Sequence, residues 1–161
     1  MKERLIRLVF LAHLASTLYM VGLIWIVQVV HYPLFEMLNR DDFALYEQRH
    51  TALITWVVGP PMLIEVVTAV LLFRSRPAGI KLAALWCGLG LLCVIWLSTA
   101  LLQVPCHDGL SRGFDASLVQ RLIWSNWIRT IGWTLRGLIV LRMTSAALDN
   151  PVRGPEQEAF R

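Results

Sequence analysis

The sequence predicts an all-α protein, a four-helix transmembrane bundle running up-down-up-down. The first supporting observation is composition: of 161 residues, 57% are hydrophobic and 16% charged, with a mean hydropathy of +0.58. That is too apolar for a soluble domain of this size. The second is the pattern of four long apolar stretches, at residues 5–30, 51–73, 80–104 and about 118–141. Each reaches the roughly 20 residues that a helix needs to cross about 30 Å of hydrocarbon. The third is the lack of sustained period-two alternation, which removes a barrel and leaves helices as the structure that satisfies the backbone in lipid.

The first stretch is longer than the roughly 7–15-residue apolar region of a secretory signal and lacks a clear small-residue cleavage site, so it reads as a retained helix. Orientation follows from the basic residues. Lys2, Arg4, Arg7, Arg74, Arg76, Lys81, Arg142, Arg153 and Arg161 fall on one side, against Arg40, Arg49, Arg112 and Arg121 on the other. The positive-inside rule then puts both termini in the cytoplasm, with loops 31–50 and 105–117 facing outward. The net charge of +4 reports topology. Its basic residues form no single stripe, which argues against nucleic acid as a partner.

Within the first outward loop, Asn39, Asp41 and Asp42 are good helix caps, so the second helix is expected to begin near residue 42 and stand proud of the membrane. Gly113 and Asp115 repeat the device ahead of the fourth helix. Gly59, Pro60 and Pro61 predict a kink or local unwinding in the second helix. Pro33 and Pro105 are expected to end the first and third helices at matching depths. The turn at residues 76–79 is tight, making the second and third helices antiparallel neighbours. Residues 1–148 form the transmembrane domain, and the polar, broken tail 149–161 is expected to be disordered.

Three histidines, His31, His50 and His107, are distant in the chain, yet this topology brings them to one rim of the bundle. Neutral imidazole is a common ligand, so they are candidate ligands for a transition metal (copper, iron or zinc) or haem. Interfacial histidines can equally hydrogen-bond head groups or loop carbonyls. Glu47-Gln48-Arg49-His50 supplies one Glu-x-x-His element of the kind that bundle di-iron proteins carry twice. A second copy is absent, and Glu47 reads better as a capping residue or part of a solvated face. Glu36 and Asp108 are other nearby carboxylates.

Deeper in the membrane, Glu65 falls in depth between Arg129 and Arg136, which share a face of the fourth helix one heptad apart. A lone charge in hydrocarbon is costly, so Glu65 is expected to pair with Arg129, Arg136 or both. That pairing reads either as a lock on helix register or as a proton relay or clamp for an anionic or quinone-like ligand. Asn126 extends the polar face toward the histidines, and His13, Gln28 and Gln103 are candidates to join it. Glu65, Arg129 and Asn126 are the candidate catalytic residues; Arg136 and Gln103 are candidate cofactor-binding residues.

Trp25, Trp56, Trp124 and Trp127 are expected at the outward interface. Gly88, Gly90, Gly132 and Gly137 can support close helix contact without GxxxG spacing. Cys87 and Cys93 read as small packing residues, and Cys106 as bland despite its neighbour His107.

The four-helix layout, the His31-Tyr32-Pro33 segment, the run from Gln103 to His107 and the run from Asn126 to Thr130 resemble a group of small bacterial integral membrane proteins, distantly similar to the anthrone-oxygenase-like membrane family. The likeness spans roughly residues 5–143 and carries no diagnostic catalytic motif. It implies an oxygenase or other oxidoreductase. The expected location is the bacterial inner (cytoplasmic) membrane as a multi-pass protein.

Two functions stand against each other. In one, a metal- or haem-dependent membrane oxidoreductase uses His31, His50 and His107 as ligands for the cofactor and acts on a lipophilic small molecule. In the other, a non-enzymatic accessory or binding protein docks with a larger membrane complex or forms a homo-oligomer, and its Glu65 and Arg129 pair is structural.

Overall fold

A computed structural model describes residues 2–149, and these are helical with no strand among them. Helix α1 is α-helical over Lys2–Ile26, widens into a π turn at Val27–His31, and closes through Tyr32–Leu34 and a 3-10 turn at Phe35–Met37. Helix α2 covers Phe43–Arg74. Helix α3 covers Leu82–Leu110, with a π turn at Thr99–Gln103, and helix α4 covers Ala116–Asp149. The first three are long and apolar enough to cross a membrane. The expected disordered tail lies outside the described residues apart from Asp149, which ends α4.

Helix α4 falls short of the apolar standard because it carries Arg121, Arg129, Arg136 and Arg142 within one helix. Burial explains how it remains in the bundle: Asn126, Arg129, Thr130 and Arg136 all face inward. Large apolar side chains such as Trp124, Ile131 and Leu138 face outward, as do Trp56 and Leu53 on α2. The bundle therefore has apolar outer walls and a partly polar interior, the reverse of a water-soluble protein.

Two cores hold the helices. One joins Phe10 of α1, Leu72 of α2, Leu85 of α3 and Val140 of α4, beside the turn between α2 and α3. The other joins Met20, Ile24, Phe35, Phe43, Leu110, Leu122 and Trp133 at the opposite end. Between them, Glu65 of α2 accepts from Thr17 of α1 (2.7 Å), Trp133 of α4 (2.8 Å) and both Nε and Nη2 of Arg136 (3.2 and 3.0 Å). Arg136 Nη1 donates to the Gly88 carbonyl of α3. One buried ion pair thus ties all four helices, and each charged group finds the hydrogen bonds that a low-dielectric interior demands. Glu65 pairs with Arg136 alone; Arg129 forms no ion pair among the described residues.

Small residues bring α4 close to its neighbours. A Cβ at Gly132 would lie 2.9 Å from Ile95 of α3, and one at Gly137 would lie 3.0 Å from Val21 of α1. Gly90 has open space instead and takes no part in close contact. Cys87 and Cys93 are exposed on α3, not packed as expected, while Cys106 is buried.

No unwinding is seen at the prolines of the second helix, and the prolines of the first and third do not end them. Pro60 and Pro61 lie inside an unbroken α2. Pro61 leaves the Val57 carbonyl without its amide donor, and the Tyr19 hydroxyl reaches that oxygen at 3.5 Å. Pro33 and Pro105 do not end their helices. Each sits in the first turn of a renewed helical segment, two residues after a π turn. The wider turn accommodates the ring and the missing donor, so the helix continues.

Helix α4 is capped as the sequence implies. Asp115 accepts from the Ser117 hydroxyl and from the amides of Ser117 and Leu118, and these bonds hold its carboxyl below the ordinary carboxylate range. Gly113 precedes it with φ +152°, a conformation that L side chains rarely adopt. Helix α2 begins at Phe43 as expected, but its N-cap residue Asp42 makes no side-chain cap bond.

Removing the Glu65 carboxylate would strand Arg136 in the interior. Glu65→Ala is expected to cost about 3 kcal/mol or more, read as a lowered denaturation midpoint in detergent. Gly132→Val, which forces a branched side chain against Ile95, is expected to cost about 1–3 kcal/mol in the same assay.

Candidate functional site

Beyond each π turn the helix is out of register with its first half, because the turn holds one residue more than an α turn. In α1 the segment after the turn buries Tyr32 and Phe35, while His31 is half-buried. In α3 it buries Cys106 and Leu110 and brings His107 alongside. Helix α2 contributes its first two turns: Phe43, Glu47 and His50 are spaced four and three apart, so they share the inward face.

These segments meet as a chain of hydrogen bonds. Glu47, with no exposed surface, bonds through Oε1 to His107 Nδ1. His107 Nε2 lies 3.1 Å from the Tyr32 hydroxyl. The tautomer protonated on Nδ1 satisfies both contacts: His107 donates to the carboxylate, and Nε2 accepts from the phenol. His31 Nε2 and His50 Nδ1 are 3.1 Å apart, and the His50 and His107 rings lie 5.5 Å apart between centroids. The other carboxylate oxygen of Glu47 is buried without a partner.

All three histidines expected at one rim are therefore neighbours, with both nitrogens of His107 and one each of His31 and His50 turned to other protein groups. Among the described residues no group of three or more His, Cys, Asp or Glu side chains is arranged to hold a metal ion. Both ring nitrogens of His107 are engaged, and His31 and His50 are turned to each other. As arranged, these donors do not form the ligand set expected for a transition metal. Glu36 and Asp108 are exposed, and Glu36 is bonded to Gln120.

A cavity of about 440 Å³ adjoins this chain, bordered by Tyr32, His50, His107, Gln103 and Arg129 at its polar end. Met20, Ile24, Met62 and Trp96 form apolar walls. Thr55, Gly59 and Leu63 of α2 and Thr99 and Val104 of α3 also line it. Of its lining residues, Thr55, Leu63, Trp96, Val104 and Asp108 are exposed, all of them on α2 or α3. The volume falls in the range of small-molecule sites, which are mostly apolar with a few convergent polar groups.

Aromatic packing surrounds the histidines at this end of the bundle. Phe35 stands edge-on to His31, His50, Phe43 and Tyr46. Phe43 stands against Phe114, and Arg40 lies 3.1 Å over the Phe114 ring. Gln48 of α2 donates to the carbonyl of Ser111, just beyond the end of α3.

The remaining sequence-predicted residues fall in different places. Glu65 and Arg136 belong to the interhelical ion pair and do not line this cavity. Asn126 donates to Gln28 Oε1 at 3.0 Å, which also accepts from Thr130, and Gln28 donates to the Ile123 carbonyl, so these residues fasten α1 to α4. Gln103 lines the cavity, but its amide is held by Ser98 (3.0 Å) and Ser125 (2.9 Å). His13 bonds to Thr68 at 2.8 Å, one turn from Glu65. Arg129 is the predicted catalytic residue that faces the cavity, with its guanidinium beside the Tyr32 hydroxyl and 5.4 Å from the Trp133 ring.

Two participants were missed by sequence reasoning. Glu47, read as capping or solvated, is fully buried; its spacing from Phe43 and His50 was the available signal. Tyr32 was visible only as part of a resemblance segment, because the π turn that faces it inward has no periodic signature. The chain matches no protein-family profile, no curated protein and no solved structure.

Proposed function

We propose that the protein is a multi-pass membrane enzyme that takes a lipophilic substrate from the bilayer into the cavity between α2 and α3. Proton-coupled chemistry takes place at the outer end of that cavity. The observation that carries this reading is the chain Glu47, His107, Tyr32, which ends in a hydroxyl at the cavity wall.

The roles follow from the bonds. Glu47 orients His107 by accepting from its Nδ1, and His107 Nε2 holds the Tyr32 hydroxyl by its oxygen-bound proton. Tyr32 exchanges that proton with the polar head of the substrate, and His107 relays it. Arg129 stabilises negative charge on the phenolate or on the substrate. The aromatic packing around the histidines keeps the exchange out of bulk water. Oxidation as the reaction class rests on the resemblance to the anthrone-oxygenase-like membrane proteins.

For orientation, we read all four helices as spanning the bacterial inner membrane up-down-up-down with both termini cytoplasmic. Support comes from the uneven Lys and Arg distribution and from the inward burial of the Arg129 and Arg136 charges, which leaves α4 an apolar outer face.

Tyr32→Phe and His107→Gln are each expected to lower turnover about 100-fold or more at unchanged abundance. The measurement compares lipid extracts of cells expressing wild type and variants by mass spectrometry. A lipophilic metabolite should be consumed by wild type and persist with the variants; identical extracts would refute the enzyme reading. In a background with the native cysteines replaced, Asp41→Cys and Arg112→Cys should react with an impermeant thiol reagent added outside spheroplasts. Ser75→Cys should react only after lysis, and labelling of Ser75→Cys from outside would overturn the orientation.

A further inference from the structure

Of the two buried guanidiniums among the described residues, Arg136 and Arg129, one forms no ion pair. Glu65 is matched by Arg136, and Glu47 is engaged by His107. Arg129 is 6% exposed, takes part in no ion pair among the described residues, and its Nε is buried without a hydrogen-bond partner. Its neighbours are the Tyr32 hydroxyl and the Trp133 ring. A guanidinium cannot shed its proton in a protein, and leaving such a charge unpaired in a low-dielectric interior costs several kcal/mol. The residue sits where the apolar cavity ends, at the place where the head of an amphipathic molecule would lie.

We infer that the cavity binds a lipophilic oxyanion, a molecule with one anionic oxygen head and an apolar body. The head pairs with Arg129 beside Tyr32, and the body lies along Met20, Ile24 and Trp96 toward Gly59. This assignment rests on the substrate reading above and narrows it from any lipophile to an anionic one. Arg129 supplies the donors that an oxyanion accepts, its planar fork suits a two-oxygen head, and its Nε, buried without a partner, would gain an acceptor. A free lipophilic acid and an anionic phospholipid head share this chemistry.

The test uses the full-length protein in phosphatidylcholine nanodiscs, with cis-parinarate as a fluorescent fatty-acid probe excited by energy transfer from tryptophan. Dodecanoate is expected to displace the probe at roughly tenfold lower concentration than dodecanol, the scale of a charge-assisted hydrogen bond. Arg129→Gln should abolish that preference, and Arg129→Lys should retain part of it. Gly59→Leu, which has free space for the new side chain in the cavity lining, should weaken both ligands. The ligand-free Arg129→Gln protein is expected to denature at a higher midpoint than wild type; a lower midpoint would assign Arg129 to bundle stability and count against the inference.

Equal displacement by dodecanoate and dodecanol in wild type would overturn the anionic assignment while leaving the lipophile cavity standing. Probe signal that neither ligand displaces and that Gly59→Leu does not alter would overturn both. Stronger displacement by phosphatidylglycerol than by dodecanoate, lost in Arg129→Gln, would support the pairing and identify the source of the oxyanion as a lipid head group.

Discussion

The ion pair of Glu65 with Arg136 is the interaction on which the bundle depends. Its partners come from every helix: the Thr17 hydroxyl from α1, the Glu65 carboxylate from α2, the Gly88 carbonyl from α3, and Trp133 and Arg136 from α4. Apolar packing alone discriminates poorly between helix rotations in lipid, because a Leu against lipid and a Leu against another helix differ little in free energy. A carboxylate with donors on two helices and a guanidinium that also reaches a third do discriminate. Any rotation or slide of one helix would leave a charge or donor unmatched. The depth and rotation at which α4 presents Arg129 to the cavity, seven residues from Arg136, follow from that lock.

The outer site depends on a second device, the pair of π turns ahead of Pro33 and Pro105. A straight α1 and α3 would carry their ends past the rim in the register set by the inner core. The extra residue in each turn releases the outer segment from that register, and the proline fixes the backbone that follows. Tyr32 and His107 are each placed this way, from different helices, and they face each other. Helix α2 needs no such adjustment, because its Glu47 and His50 lie on the same inward stripe as Phe43.

The sequence revealed the helical class and the long apolar stretches because length and hydropathy are local properties that lipid reads directly. It also revealed the convergence of His31, His50 and His107, since alternating helix direction brings those positions to one end. Caps were legible where chemistry is specific, as at Asp115. Choosing between Arg129 and Arg136 as the partner of Glu65 was not legible: two residues seven apart share a face, and depth estimated from helix centres does not separate them. The prolines misled in both directions. Pro60 and Pro61 suggest unwinding, but the helix runs on through them and Tyr19 supplies a donor from another helix, a tertiary contact with no local trace. Pro33 and Pro105 look like terminators but sit at the start of renewed helical turns. Glu47 was misjudged because a charged residue beside an exposed Gln48 and Arg49 resembles a solvated patch until the facing helix is known.

The proposed entry from the bilayer between α2 and α3 has a kinetic consequence. A molecule entering there is drawn from the membrane phase, so occupancy follows its mole fraction among the lipids and not its concentration in water. Each added methylene raises partitioning by about 0.8 kcal/mol, or about fourfold at ambient temperature. Apparent selectivity measured against aqueous concentration would then favour longer chains even if the protein made no distinction between them. Diluting the ligand with inert lipid at constant total amount would slow occupancy, a surface-dilution behaviour that a cavity facing water would not show.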